Sequence, residues 1–536
     1  MICWFRPTLV WLVLCTILIF GLAGGCSSKH YKEQADKEVY KIIDSKWQHS
    51  FGSKVNYAIS DVTPSPNDID IEKAVPESGV ITLTQAVAAA TAHNREYQSQ
   101  KEALYLTALD LTLARHQFAQ QWFGTIDASY TRNSADESVG SDADLGFNQL
   151  LATGAQISTS IAIDWARFLT GDPRISLGSV LSATFVQPLL RGSGRQVVQE
   201  NLTQAERSAL YQIRSFNHYR KTFVVSIVEE YYSVLQRREE VTNAKSNYDM
   251  QVESKRRLDM YAEAGRVDRF DVDEAEQSML RAENSWVAAQ QRYEQALDQF
   301  KIRLALPTDA DIELDPNELE ALKEVGISEP NYTLEVAVET ALARRLDLAN
   351  SADRVDDAER KVKVAANNLG AELNLIGSAT VDSTPETDFT RLQFHQGTYG
   401  LGLEADLPFD RKAERNAYRE ALITFTQQKR EYQNGIDEVK LEVRDAYRRL
   451  REQAESYRIQ KLSLELARKR VESNEMLLDA GRITVRLLLD SQNALAEAQN
   501  NYTGALVNHT VTKLNFFSNI GVLQVRPDGM WEREVQ

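Results

Sequence analysis

After Cys26 the chain has no cysteine at all: the three in its 536 residues are Cys3, Cys15 and Cys26. No disulfide can form within residues 27–536, and no thiol pair is available there to a metal. The seven histidines, His30, His49, His93, His116, His218, His395 and His509, are scattered without ligand spacing. Phosphate-binding glycine loops, zinc pairs and nucleophile elbows are missing too. The run GSGR at Gly192 to Arg195 sits at a strand-to-helix junction and lacks the spacing of a nucleotide site. The sequence therefore points to no enzyme and no cofactor. A basic excess is also lacking: net charge is −16 with both signs intermixed, which argues against a nucleic-acid partner.

What is present begins at the N-terminus. Arg6 precedes the apolar run TLVWLVLCTILIFGLAGG, which ends directly at Cys26. A charge, an apolar stretch and small residues before a cysteine read as a secretory signal over residues 1–25, and resemble the bacterial lipoprotein signal, in which that cysteine is lipidated. The run is also just long enough for an uncleaved membrane anchor. Residues 26–80 are polar, with a short helix expected around Lys32 to Trp47 and a loop at DVTPSPND, and read as a tether.

Beyond the tether the sequence repeats itself, over residues 81–330 and 331–523, before a tail at 524–536. TLTQAV (Thr82 to Val87) matches TLEVAV (Thr333 to Val338) at an offset of 251. Pro188 and Pro408, each closing a strand, match at 220, and the glycines of AGRVDRFDVDEAE and AGRITVRLLLDSQ, Gly265 and Gly481, match at 216. The first half thus carries 31 more residues before its proline, so insertions concentrate in the strand region.

The strands alternate with period two. In AQISTSIAIDW the odd positions Ile157 to Trp165 are mostly apolar and the even ones mostly polar; TYGLGLEADLP behaves likewise, with Tyr399, Leu401, Leu403 and Ala405 against Gly400, Gly402 and Glu404. Thr125 to Thr131 and Leu369 to Leu375 alternate more weakly. Alternation of this kind fits a half-buried sheet as well as a transmembrane barrel.

The helical patterns are longer. A seven-residue stripe runs Ile436, Val443, Leu450, Tyr457, Leu464, Val471, Leu478; its counterpart is Ile227, Val234, Val241, Tyr248. After each glycine corner a second stripe begins, Val272, Met279, Trp286, Tyr293, Phe300 and Leu488, Leu495, Tyr502, His509, Phe516, flanked by small residues such as Ala275, Ala282 and Ala289. A sustained period of seven with small residues beside it predicts closely packed coiled helical hairpins. The long helix of the first half is expected to run nearly from Pro188 to Gly265, about 110 Å, and the return helix about half that.

This order of helix, strands, long helix, corner and short helix, twice over, together with FVQPLLRGSGR (Phe185 to Arg195) and the first corner, resembles the outer-membrane efflux protein family, the TolC-type channels, in its lipoprotein subgroup. The resemblance spans about Ile81 to Leu523. It implies a mainly α fold with a β-barrel part: a homotrimer with four strands per chain in a shared twelve-stranded outer-membrane barrel, and duplicated coiled hairpins forming a periplasmic α-barrel. It further implies a passive duct of a tripartite export system, anchored by lipid on Cys26 in the outer membrane and joined to an inner-membrane transporter through a periplasmic adaptor.

The same resemblance implies site residues. Gly265 and Gly481 turn the chain at the periplasmic tip, and Arg266 and Arg482 beside them are candidates for adaptor docking. Asp490 is the candidate for an acidic ring at the pore constriction, favouring cations. Leu487 departs from the family's second acid and is a candidate for an apolar constriction, while Asp271 and Glu274 mark the first corner. Acids near a helix start also suit the helix dipole without any pore role. Pro188 and Pro408 mark the strand-helix junctions. A periplasmic adaptor and a structural envelope coiled coil are the competing readings; a single hairpin would suit the first, and the duplicated strands count against the second.

Overall fold

The computed structural model describes residues 27–48, 57–59, 79–132, 137–168, 175–328, 330–384, 388–407 and 409–526. The expected signal at 1–25, the expected lipidation site Cys26, the junction residue Pro408 and all but the start of the tail lie outside the described residues. In chain order the elements are α1 (Ser28–Lys46), β1 (Val80–Ile81), α2 (Leu83–His93), α3 (Arg95–His116), β2 (Gln121–Arg132), β3 (Glu137–Leu150), β4 (Gln156–Phe168) and β5 (Ile175–Pro188). After a short helical turn come α4 (Glu200–Glu263), α5 (Arg269–Arg303), β6 (Glu313–Leu314), α6 (Asn317–Val325), α7 (Leu334–Arg344) and α8 (Leu346–Asn367). The second half closes with β7 (Glu372–Thr384), β8 (Asp388–Leu392), β9 (Thr398–Asp406), α9 (Lys412–Asp479) and α10 (Val485–Asn519).

Two compact units divide this chain, and each draws on both sequence halves. One combines the stretches up to Trp47, Leu104–Leu210 and Lys363–Tyr418; the other combines Gln48–Ala103, Tyr211–Val362 and Arg419 onward.

The first unit holds an antiparallel sheet in which β2, β3, β4, β5, β7 and β9 pair in that order, with short β8 against the far end of β7. Four strands per chain were expected; among the described residues this sheet has six long ones and a short one. The physical reason is the 31-residue excess of the first half, which folds as a full hairpin, β3 and β4, between strands otherwise matched to the second half. Register fixes the faces, because partners across a sheet share one side. One row reads Leu145, Ile161, Leu181, Val381; a neighbouring row on the other side reads Asp127, Asp142, Asp164. The apolar side stays open to its surroundings: Trp122, Ile126, Tyr130, Leu145, Tyr399, Leu401 and Leu403 are all exposed. Helix α1 belongs to the same unit; its Val39, Ile42 and Ile43 are buried, and Lys46 pairs with Glu206 at 2.5 Å. Pro188 ends β5 opposite Asn374, and beyond it Gly192 donates its N–H to Asn367 Oδ1 at 2.9 Å.

The second unit is helical. Its repeat landmarks prove to be helix starts: Thr82 caps α2, accepting from Gln85 N while Gln85 Oε1 accepts from Thr82 N, and Thr333 accepts from Val336 N at the start of α7. Helix α4 has 64 residues and α9 has 68, roughly 100 Å each, whereas α5 and α10 have 35 each, roughly half that. The first long helix begins at Glu200 rather than near Pro188, because Gly192 and Gly194, at φ 74° and 89°, keep the junction from helical geometry. In α9 the stripe Val443, Leu450, Tyr457, Leu464, Val471, Leu478 is buried, as its period predicts. The small row of α5, Ala275, Ala282 and Ala289, is buried as well, so short side chains let the backbones approach. Among the described residues no helix is long and apolar enough to cross a membrane.

Candidate functional site at the paired helical corners

Both hairpins of the second unit turn on the same backbone motif. At the first corner Gly265 takes φ 70° and donates to Ala262 O at 3.0 Å, while Arg266 N–H reaches back to Tyr261 O at 2.8 Å. At the second, Gly481 takes φ 66° and donates to Leu478 O at 2.8 Å, while Arg482 N–H reaches Leu477 O at 2.9 Å. This pair of bonds satisfies the last carbonyls of a helix and needs a left-handed residue, which glycine adopts at least cost. A Cβ on either glycine would meet no atom within 4 Å, so the requirement is one of backbone angle and not of space. Asp268 and Thr484, in extended geometry, then open the return helices.

An apolar cluster joins the two corners: Leu258 and Ala275 from the first hairpin pack with Leu478, Val485, Leu488 and Leu489 from the second. Around it lie polar links. Tyr261 donates its hydroxyl to Asp479 Oδ1 at 3.1 Å, and Arg257 lies 3.8 Å from the same carboxylate. Arg266 is stacked over the Tyr261 ring at 5.9 Å, and Arg482 is exposed.

The repeat places Glu274 and Asp490 at equivalent positions, nine residues past their glycines, and the structure brings them to one cation. Arg486 Nε lies 3.7 Å from Glu274 Oε1 and 4.0 Å from Asp490 Oδ2. Side-chain exposure is 74% for Arg486, 62% for Asp490 and 22% for Glu274, so Asp490 keeps a solvent-facing side beyond the pair. Asp271 is half-buried in the first turn of α5, where its charge meets the positive end of the helix dipole. Its repeat equivalent, Leu487, is partly exposed, and its carbonyl accepts from Asn474 Nδ2 at 3.3 Å.

Sequence reasoning passed over two features here. Arg486 is one, although its four-residue spacing to Asp490 was visible. The other is the seam between α4 and α10. Approaching the corner, the buried positions of α4 ahead of Leu258 are the polar Asn243, Asn247, Gln251 and Ser254, while Val241 and Tyr248, which carry the seven-residue stripe, are only half-buried. Asn243 Nδ2 donates to Asn500 Oδ1 at 2.8 Å, Asn247 Nδ2 to Asn493 Oδ1 at 2.9 Å, and Gln492 Nε2 to Ser254 Oγ at 3.1 Å. Gln251 sits among these with no exposure and no hydrogen bond to either side-chain polar atom. The four- and three-residue spacings of these amides were the available signal. The two hairpins therefore meet through apolar contacts at the corner and through exchangeable amide bonds above it.

Comparison with known proteins points to the same architecture. Residues 337–515 match the model of the outer membrane efflux protein family. No curated protein matches the chain. Among solved structures, the Campylobacter jejuni CmeC outer membrane channel is 14% identical, with 91% of this chain and 93% of that one covered at a TM-score of 0.59. The open state of the Neisseria gonorrhoeae MtrE outer membrane channel is 12% identical, covering 89% and 98% at 0.59. The Vibrio cholerae outer membrane protein VceC is 12% identical, covering 82% and 96%, also at 0.59. At these identities the shared feature is the fold.

Proposed function

We propose, from the match of its second repeat to the outer membrane efflux protein family, that this chain is one protomer of a passive trimeric export duct. Its strands lie in the outer membrane and its helical hairpins in the periplasm. The duct carries no catalytic group of its own. Its energy comes from an inner-membrane transporter, reached through a periplasmic adaptor that docks at the corners, where Arg266 and Arg482 are the cationic contacts. Lipid on Cys26 adds an anchor.

The observation that carries this reading is the two-faced sheet. An apolar side with exposed Tyr399, Leu401 and Leu403 opposes a side rich in Asp, Ser and Gly, as a wall between lipid and an aqueous lumen requires. At the corners, Asp490 faces the lumen of the neck and Glu274 and Arg486 set its effective charge, with Leu487 as the apolar component. Adaptor docking slides the second hairpin along the amide seam of α4 and α10, which exchanges hydrogen bonds instead of exposing apolar surface.

Thiol labelling tests the wall. The only native cysteines are Cys3, Cys15 and Cys26, so a cysteine introduced in the sheet reports its own side. In isolated outer membranes, Leu401→Cys should react with a membrane-soluble maleimide and resist a charged one, whereas Ser158→Cys should react with the charged one. Equal reactivity of both with the charged reagent would reject the membrane wall.

A further inference from the structure

We infer that the hairpin β3–β4 is part of the barrel wall, so that three copies of this chain close an eighteen-stranded barrel; the copy number rests on the trimeric reading proposed for the duct. Four observations lead there. The hairpin is a clean insertion: β2 ends at Arg132 and β5 begins at Ile175, at the same end of the sheet, so removing Glu137–Phe168 would leave β2 and β5 as an ordinary hairpin. The inserted strands, 14 and 13 residues long, exceed the roughly 9–11 that a tilted strand needs to cross a bilayer.

The third observation is register. Leu145 and Ile161 of the insertion stand in one apolar row with Leu181 and Val381, and Asp142 and Asp164 stand in one polar row with Asp127. A loop folded over the mouth, or a plug within it, has no reason to continue both faces of its neighbours strand by strand. The fourth is closure. Six strands are too few to close alone, since the smallest barrels have eight. The outer strands β2 and β9 have no partner on their outer edges among the described residues and run in opposite directions. One copy's β9 can thus pair antiparallel with the next copy's β2, with no parallel seam.

Width follows from strand number. With strands about 4.8 Å apart and tilted by about 40°, eighteen give a backbone diameter of roughly 36 Å, against roughly 24 Å for twelve. Two of the three aspartates in each polar row, Asp142 and Asp164, come from the insertion, so the wider lumen is also more acidic.

The test is a strand count by electron cryomicroscopy of the full-length protein, extracted from outer membranes into nanodiscs, beside a variant lacking Glu137–Phe168. We expect three copies and eighteen strands in the intact protein, and a barrel circumference 1.5-fold that of the variant. A trimer with twelve wall strands and β3–β4 outside the wall would overturn the inference and leave the duct reading standing. Particles with no threefold barrel would overturn both. If the variant does not assemble, the count on the intact protein still decides.

Discussion

Arg486 lies between Glu274 of one hairpin and Asp490 of the other, 3.7 Å and 4.0 Å from their carboxylates. Two acids that the repeat makes equivalent thus share one cation, and the paired corners carry less negative charge than their carboxylates alone suggest. Removing the cation should unmask them. Arg486→Ala is expected to raise cation selectivity in planar bilayers, and Asp490→Ala to lower it, with both effects shrinking as salt rises and the Debye length falls to about 3 Å near 1 M. Because the two substituted residues, Arg486 and Asp490, are largely exposed, stability should move by less than about 1 kcal/mol in either variant. A reversal potential unchanged in both would remove these residues from the conduction path.

Gln251 is buried in the seam of α4 and α10, and no other protein group bonds its side-chain amide to offset the desolvation. Gln251→Leu should therefore raise thermal stability, by about 1–3 kcal/mol for a relieved buried polar group. It should also hold the corners in their present packing, read as fewer open events per unit time in single-channel records. A drop in melting temperature would mean that the amide has a partner in the assembled duct.

At the corners only backbone angle is at stake. Gly481→Ala should cost about 1–2 kcal/mol, the ordinary penalty of a left-handed residue with a Cβ, and Gly481→Asn less. Thermal melts of the three proteins check the order. An Asn variant less stable than the Ala one would point to a loss of space instead.

In the sheet the demand is steric. A Cβ on Gly146 would come within 2.5 Å of Thr159 O and 2.6 Å of the Phe123 ring, two contacts that cannot both yield. Gly146→Val should sharply reduce the yield of assembled oligomer on a semi-native gel, whereas Gly402→Ala, with nothing within 4 Å, should leave it unchanged.

Lys221 gives a pH signature. Burial, then the nearby Arg220 and Arg344, push its ammonium down to about 8, while Nζ donates to Gly521 O at 3.4 Å. A folded-state value below the unfolded one means that the charged form burdens the fold at lower pH and that the burden lifts as pH rises from about 8 toward the unfolded value. Relative to Lys221→Met, the wild type should gain stability over that window, measured by denaturant unfolding at several pH values. A constant difference between the two would show an unperturbed lysine.

Much of this architecture was legible in the sequence because it is periodic. Leu450, Tyr457, Leu464, Val471 and Leu478 recur every seven residues and are buried on one side of α9, and Gly265 and Gly481 mark the corners by a backbone need that few residues meet. The strand count was less legible. In β3, the run ESVGSDADLGFNQL, Gly140 and Gly146 interrupt its alternation, which only pairing with β2 and β4 makes plain. The 31-residue excess gave the insertion's size but not its conformation. The polar seam was hidden by the heptad itself: Val241 and Tyr248 kept the stripe going while Asn243, Asn247 and Gln251 turned inward, since α4 faces α10 there. The meeting of Arg486 with Glu274 joins residues of different hairpins, which no local pattern reports.

If copies of this chain assemble as a duct in the outer membrane, the native mass of the detergent-extracted protein, from inner and outer membranes separated beforehand, will show it. A single species of three copies is expected in the outer-membrane fraction. A monomer or dimer recovered from the inner-membrane fraction would contradict it and return the chain to the adaptor class.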